Sequence, residues 1–148
     1  MATITLVIEI DAPAERVFEA LVDLPGYGRW LSDSTDYAGT TKISTDPVTV
    51  GTTYVERSRT GVRRGTVTEL AAPTRVTFHQ PMTMRPRLLG VIDIRVTYTL
   101  SPVDGGVRVE RVVTADLPWQ LKPVEPLVLS RFRRESRRTI DALKAFAE

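Results

Sequence analysis

The chain has 148 residues, of which 42% are hydrophobic and 26% charged, and its formal net charge is +2. These proportions are typical of one globular domain and exclude a disordered chain or a strongly basic nucleic-acid binder. With no cysteine and with His79 as its single histidine, the sequence excludes disulfides and thiolate chemistry, and we expect no metal and no cofactor.

The N-terminal segment predicts a half-buried strand over residues 4–10. Apolar residues occur there at every second position, as the pleat of a strand requires; they are Ile4, Leu6, Ile8 and Ile10. No basic residue precedes Glu9, so the segment lacks the pattern of a signal peptide. Apolar runs elsewhere are far shorter than the ~18 residues that span a bilayer. We therefore expect a cytoplasmic protein without stable membrane insertion.

Two short helices are predicted to follow this strand. Asp11 supplies an oxygen for an N-cap, and Pro13 suits the first turn of an amphipathic helix over residues 14–22, because a first-turn N–H has no partner within the helix. Residues 24–26 break this helix. The next segment, 27–31, predicts a second short helix or turn.

The middle of the chain predicts six further strands. The strand-like runs cover residues 36–44, 51–59, 62–71, 74–80, 90–101 and 106–117. Short turns rich in Pro, Gly and Asp separate them, which indicates an antiparallel meander. No crossover helices occur between the runs, so a doubly wound parallel sheet is excluded.

The last predicted element is a long helix over residues 125–147. Its apolar stripe recurs at steps of three to four and consists of Val128, Phe132, Ser136, Ile140, Leu143 and Ala147. Five arginines occupy the other face, which could meet anionic lipid headgroups, nucleic acid or an acidic partner. Glu135 and Asp141 interrupt this basic face, and no aromatic residues alternate with it for base stacking, so we expect no nucleic acid.

The order of elements predicts a single α+β domain over residues 1–148. One strand, two short helices, six strands and one long helix give a strongly curved, seven-stranded antiparallel sheet wrapped around the C-terminal helix. A curved sheet and a helix leave a space between them, and small molecules bind in such spaces.

Three segments resemble the START-like, or SRPBCC, superfamily, which has the helix-grip fold. They are IDAPAERVFEALVDLPGYGRWLSDS (Ile10–Ser34), VGTTY (Val50–Tyr54) and GTVTELAAPTRVTF (Gly65–Phe78). The opening pattern matches at Ala12, Pro13, Val17, Phe18, Leu21, Tyr27 and Trp30. The resemblance implies the helix-grip fold and the polyketide cyclase/dehydrase and lipid-transport-like branch. Because the superfamily contains enzymes, carriers and receptors, the resemblance does not select a chemistry.

Arg111 is the candidate polar residue of the pocket. Alternation in the strand over 106–117 places it on the apolar, inward face, where an unpaired charge is costly. Glu56 is the candidate partner. Arg111 then either anchors an oxygen of the ligand, forms a purely structural ion pair, or turns to solvent at a strand irregularity.

His79 is a weaker candidate. It could serve as a general base, but alternation places it opposite Phe78 and Val76, which favours a surface position. No serine or threonine pairs with it convincingly, so a hydrolytic triad is not supported.

Two apolar segments are predicted either to form the lips of the pocket or to close the end of the barrel as core. One contains Met82, Met84, Leu88 and Leu89, and the other contains Trp119, Leu121, Pro123, Val124 and Leu127.

The sequence favours a carrier or binding protein for an apolar, lipid- or polyketide-like small molecule. The predicted ligand-binding residues are Trp30, Tyr54, Phe78, Ile94, Tyr98, Arg111, Trp119, Leu127, Val128 and Phe132. A polyketide aromatase/cyclase that uses the same pocket, without metal or covalent nucleophile, is the alternative. A partner-binding module without a usable cavity is the third hypothesis, and a homodimer is left open.

Overall fold

A computed structural model describes all 148 residues. The chain begins with β1 (Ala2–Ile10), followed by α1 (Ala14–Val22) and a 3-10 helix (Leu24–Arg29). The predicted N-cap is wrong. Pro13 occupies the cap position without a side-chain bond, and Asp11 lies too early in the chain to cap the helix. The main-chain N–H of Asp11 instead donates a hydrogen bond to the Glu148 carboxylate at 2.9 Å.

The remaining strands form one antiparallel sheet. They are β2 (Thr40–Thr41), β3 (Thr53–Arg57), β4 (Gly61–Ala71), β5 (Arg75–His79), β6 (Met82–Met84), β7 (Val91–Val103) and β8 (Gly106–Asp116). Their order across the sheet is β1-β8-β7-β5-β4-β3-β2. β6 lies between β4 and β7, in line with β5. The antiparallel α+β helix-grip prediction is confirmed, with eight strands rather than seven.

Two strand predictions require correction. The run over 36–44 shrinks to the two residues of β2, because Gly39 and Lys42 on either side of it adopt positive φ values of 96° and 53°, which no strand accommodates. The segment after Pro81, predicted as a loop, forms β6. Met82 pairs there with Arg63 on one side and with Ile92 on the other.

The long helix α2 (Glu125–Ala147) packs on the concave face of the sheet, after a 3-10 helix over Trp119–Val124. Its C-terminal half is well buried, and Ile140 and Leu143 have no exposed surface. Each such side chain contributes about 1.5–3 kcal/mol of burial energy. Val128 and Phe132 in the N-terminal half are only half-buried. Space therefore remains between the sheet and this part of α2, and the candidate site lies there. Neither α2 nor any other helix is long and apolar enough to span a bilayer.

Candidate functional site

The inner cavity lies between the concave face of the sheet and the middle of α2. Its volume is about 70 Å³, and seven of its 14 lining residues are hydrophobic. One water needs about 10–15 Å³, so the cavity holds several waters or a compact organic group. The even division between apolar and polar residues departs from the nearly apolar wall that the sequence favoured.

Three aromatic rings form the apolar wall of this cavity. Phe78 on β5 stands between Tyr54 on β3 and Tyr98 on β7, with ring centroids 6.0 and 6.4 Å apart and interplanar angles of 85° and 84°. This edge-to-face arrangement is a favourable one for aromatic pairs. Gly65 is the cross-strand neighbour of Tyr54. A Cβ atom at Gly65 would overlap the Tyr54 ring, so glycine allows that ring to lie against β4.

Arg111 on β8 projects into the cavity, as strand alternation predicts. Its Nη1 donates a hydrogen bond to Tyr98 Oη, and its Nε donates to Ser136 Oγ on α2 at 3.2 Å. The guanidinium carbon lies 5.2 Å from the centroid of the Tyr98 ring, a cation–π distance. These contacts correct the predicted pairing with Glu56, since no ion pair between the two side chains is present.

Glu56 and Arg63 face the same cavity from β3 and β4, where they are directly opposite in the strand register. Burial raises the pKa of the Glu56 carboxyl above its usual value, although the charges of Arg63 and Arg111 oppose this rise. Arg63 is buried, and its Nη1 donates to the main-chain oxygen of Asp36 at 2.7 Å. Glu56 is therefore a carboxyl group that can exchange a proton closer to neutral pH than an exposed glutamate.

Tyr54 and Tyr98 complete the polar side of the cavity. Tyr54 Oη donates to Gln80 Oε1 at 2.7 Å. Burial raises the pKa of Tyr54 well above its usual value, and it also raises the pKa of Tyr98 although Arg111 opposes the rise. Both phenols therefore stay protonated near neutral pH and can donate hydrogen bonds.

A loop between the first 3-10 helix and β2 covers the cavity on its outer side. The Asp36 carboxylate accepts hydrogen bonds from Thr60 and Arg131, both at 2.9 Å, and joins the loop to the turn before β4 and to α2. Ser34 Oγ donates to Glu135 at 3.1 Å, and Arg138 forms an ion pair with Glu135 at 2.6 Å. Burial alone would raise the pKa of Glu135, but Arg138 and Ser34 lower it below its usual value.

Two further spaces adjoin the inner cavity beneath the N-terminal half of α2. One, of about 70 Å³, has a mostly apolar lining that includes Met82, Met84, Val128 and Phe132. The other, of about 30 Å³, is lined in part by Ile94, Arg111 and Phe132. Arg63 lines all three spaces. Drug-sized ligands occupy about 300 Å³ or more, so a ligand is either compact or displaces side chains such as Phe132.

The structure brings most of the predicted site residues to these spaces. Tyr54, Phe78, Tyr98 and Arg111 line the inner cavity, whereas Ile94, Val128 and Phe132 line the adjoining ones.

Three predicted residues lie elsewhere, which corrects their assignment to the lining. Trp30 packs on Tyr27, with ring centroids 5.0 Å apart, and only Tyr27 reaches the cavity. Trp119 and Leu127 are 80% and 65% exposed, because the 3-10 helix and the first turn of α2 direct them to solvent.

Several cavity residues were not predicted. Arg63 had a usable signal, since alternation on β4 places it on the same face as the buried Gly65 and Val67. Gln80 and Asp36 had none, because an irregular segment positions each of them.

His79 lies on the outer surface of the sheet, with Nε2 2.6 Å from Asp93 Oδ1. This position agrees with the alternation of β5. No three histidine, aspartate or glutamate side chains are grouped closely enough to hold a metal ion.

Solved structures with similar folds come from several bacteria. The Aha1 dimer of Colwellia psychrerythraea has a TM-score of 0.71 and 20% identity, over 100% of this chain and 97% of that one. Protein MLL2253 of Mesorhizobium loti has a TM-score of 0.74 and 15% identity, over 97% and 95% of the two chains. DynU16, from the dynemicin biosynthetic locus, has a TM-score of 0.67 and 15% identity, over 97% of this chain and 46% of that one.

At these identities the structural similarities establish the fold alone. A search of curated proteins finds no match. The sequence profile of the family described as "Polyketide cyclase / dehydrase and lipid transport" matches residues 1–148. The chain therefore belongs to the polyketide cyclase/dehydrase and lipid transport family.

Proposed function

We propose that the inner cavity binds a compact, ring-containing small molecule that carries a carbonyl or hydroxyl oxygen, and that the protein acts as its carrier or binding protein. The observation that carries this proposal is the hydrogen-bonded pair of Arg111 and Tyr98 beside the aromatic wall. The wall offers contact area to a ring, and the guanidinium offers charge-assisted hydrogen bonds to an oxygen. A long acyl chain would find too little apolar volume beside Glu56 and Arg63.

An NMR titration with two one-ring probes tests this proposal. The probes are 2′-hydroxyacetophenone, which presents a ring hydroxyl and a carbonyl oxygen, and ethylbenzene, which presents no oxygen. We expect the oxygenated probe to bind more tightly and to shift the ring resonances of Tyr54, Phe78 and Tyr98. Equal affinity for the two probes, or shifts confined to the protein surface, would contradict the proposal.

Arg108 offers a matched control for Arg111, because it lies on the same strand and pairs with Glu9 on the outer surface at 3.0 Å. Arg111→Met should remove the preference for 2′-hydroxyacetophenone, since it removes the cationic donor. Arg108→Met should leave the preference unchanged.

A second candidate function, proton transfer in a cyclase or dehydratase reaction, is favoured by Glu56. Its carboxyl group faces the cavity with a raised pKa, the condition under which a carboxylate is an effective base near neutral pH. In such a reaction Glu56 would remove a proton from the carbon next to a carbonyl, and Arg111 would stabilise the negative oxygen that forms.

Deuterium exchange into the methyl group of 2′-hydroxyacetophenone, which lies next to the carbonyl, tests this second function. The unaltered protein should accelerate the exchange, and Glu56→Gln should abolish the acceleration. Glu110→Gln, which changes an exposed residue of β8, is the control. Exchange that persists in Glu56→Gln would contradict a catalytic role for Glu56.

The homodimer also stays a prediction. The relative from Colwellia psychrerythraea was solved as a dimer, which supports testing the oligomeric state of this chain by analytical ultracentrifugation.

A further inference from the structure

One end of the molecule exposes an unusual concentration of large apolar side chains. Five of the nine large hydrophobic residues that the fold leaves exposed belong to two adjoining segments, Leu88–Val91 and Trp119–Leu127. We call this set the Trp119 surface; it consists of Leu88, Val91, Trp119, Val124 and Leu127. Trp119 is 80% and Leu88 75% exposed, so neither side chain is explained by packing of the core.

Two short 3-10 helices bring these residues together. Gln120 Nε2 donates to the main-chain oxygen of Leu88 at 3.3 Å, which joins the helix over Trp119–Val124 to the helix over Arg87–Leu89. Gly90, with a φ of 89°, lies against Pro118 closely enough that an added Cβ would contact the proline ring. The two most exposed side chains of the Trp119 surface are therefore held on adjacent, mutually supported turns.

The Trp119 surface lies directly outside the mostly apolar space that Met82, Met84, Val128 and Phe132 line, which we call the apolar cavity. Val91 points outward where its neighbour Ile92 is buried, and Leu127 points outward where its neighbour Val128 lines the cavity. The main-chain N–H of Met84, another lining residue, donates to Gly90 O at 3.0 Å. The outer surface and the apolar cavity consequently share the same backbone segments.

Basic residues surround this surface. Arg85 and Arg87 flank Leu88 in the chain, and the N–H of Arg85 donates to Thr60 O at 2.9 Å, which places the exposed Arg59 at the same end. These three arginines form no ion pair.

Lys122 adds a fourth cation, 3.8 Å from Glu125. The carboxylates at this end are Glu125, Asp116 and Asp93, which is the cross-strand partner of Asp116 on β7. Four cations against three carboxylates leave a small positive excess at this end, to which Arg59, Arg85 and Arg87 contribute without an ion-pair partner.

We propose that the Trp119 surface docks reversibly on an anionic lipid bilayer. Trp119 and Leu88 enter the boundary between headgroups and acyl chains, and the arginines contact the headgroups. An amphipathic tryptophan is favoured at such a boundary. A second copy of the chain would bring the same positive charge to the interface, so self-association is opposed where an anionic bilayer is attracted. This inference does not depend on the proposed ligand.

Fluorescence of Trp119 tests the proposal in the full-length protein, with Trp30→Phe introduced so that Trp119 is the sole tryptophan. The probes are vesicles of phosphatidylcholine alone and vesicles of phosphatidylcholine mixed equally with phosphatidylglycerol. We expect a blue shift of the emission and co-sedimentation at low salt with the anionic vesicles only. Leu88→Ser should weaken binding. Each neutralised arginine, in Arg85→Gln and Arg87→Gln, should weaken it about fivefold, which corresponds to about 1 kcal/mol per charge.

Val50→Ser is the matched control. Val50 is an exposed apolar residue, with 62% of its surface accessible. It lies far from the Trp119 surface. Its neighbour Gly51 bonds to Val67 in the second half of β4, whereas the first residue of β4, Gly61, pairs with Met84. Val50→Ser should bind the anionic vesicles as tightly as the protein with valine at this position.

Three results would overturn the proposal. The first is the absence of a shift with anionic vesicles. The second is a shift that depends on protein concentration without vesicles and disappears in Leu88→Ser, which would assign the surface to a dimer. The third is a shift with polyglutamate but not with vesicles, which would assign it to an acidic protein partner. Circular dichroism of each variant verifies that the fold is retained.

Discussion

The raised pKa of Glu56 makes the stability of the protein depend on pH in a defined direction. Burial disfavours the charged carboxylate, and the charges of Arg63 and Arg111 compensate only in part. The folded protein therefore keeps a proton at pH values where the unfolded chain, with a carboxyl pKa of about 4.5, has released it. The contribution of this group to the free energy of unfolding is full below pH 4.5 and falls as the pH rises through the folded-state pKa.

Glu56→Gln should remove this dependence, because the amide has nearly the shape of the protonated carboxyl and does not ionise. For one proton the slope lost is at most about 1.4 kcal/mol per pH unit. The variant should therefore gain stability relative to the unaltered protein above pH 4.5, and the gain should level off once Glu56 is ionised in the folded state. Urea unfolding followed at pH values from 4 to 8, spaced by roughly one unit, measures the difference.

Glu69→Gln provides a control of opposite sign. Hydrogen bonds from Arg75, at 2.7 Å, and from Thr77 lower the pKa of the exposed Glu69 carboxyl. The Glu69 carboxylate therefore contributes to the free energy of unfolding above its unfolded-state pKa, and this contribution is lost as the pH falls. Glu69→Gln should be less stable than the unaltered protein at neutral pH and should approach its stability in acid. If Glu56→Gln instead proved equally or less stable than the unaltered protein at neutral pH, the reasoning on burial of Glu56 would be refuted.

Three further predictions concern the walls and the cover of the cavity. Gly65→Ala should lower the free energy of unfolding by about 1–3 kcal/mol, because its methyl group overlaps the opposing tyrosine ring. Tyr98→Phe and Arg111→Met should be non-additive in a double-mutant cycle, with a coupling of about 0.5–3 kcal/mol, because each removes the same hydrogen bond. Asp36→Ala should raise the amide exchange rate of the loop over residues 34–37, since it removes the contacts of the loop with Thr60 and Arg131.

Each of these predictions has a control and a contrary result. Gly28→Ala places its methyl group in open space, and a loss of stability equal to that of Gly65→Ala would contradict the packing argument. Additive effects of Tyr98→Phe and Arg111→Met would mean that the hydrogen bond contributes nothing. Glu9→Ala removes a surface ion pair at 3.0 Å and should not affect exchange in the loop. An unchanged amide exchange rate of the loop in Asp36→Ala would contradict the conclusion that the Asp36 carboxylate holds the loop over the cavity.

Sequence patterns predicted the features that regular secondary structure determines. Alternation placed Arg111 and Tyr98 on inward faces, because a strand repeats every two residues wherever it lies in the sheet. The same rule would have placed Arg63 inward beside Val67. The length of α2 and its position were also predictable from its helical periodicity.

Irregular segments account for what the sequence did not show. The orientation of Trp119 is set by a 3-10 helix, which has no long-range periodicity to reveal an inward face. β6 exists because Met82 pairs with Arg63 on β4 and with Ile92 on β7, and the local sequence shows neither pairing. The polar character of the cavity also depends on Gln80 and Asp36, whose contacts with other elements follow only from the assembled fold.

The central claim is that the pair of Arg111 and Tyr98 anchors an oxygen of a ring-containing ligand in the inner cavity. The most direct measurement is a crystal structure of the protein together with the ligand that copurifies from its host, identified by native mass spectrometry. We predict that the ring lies against Tyr54, Phe78 and Tyr98, with one oxygen within hydrogen-bonding distance of the Arg111 guanidinium. A ligand bound outside the inner cavity, or one without any oxygen at Arg111, would contradict the claim.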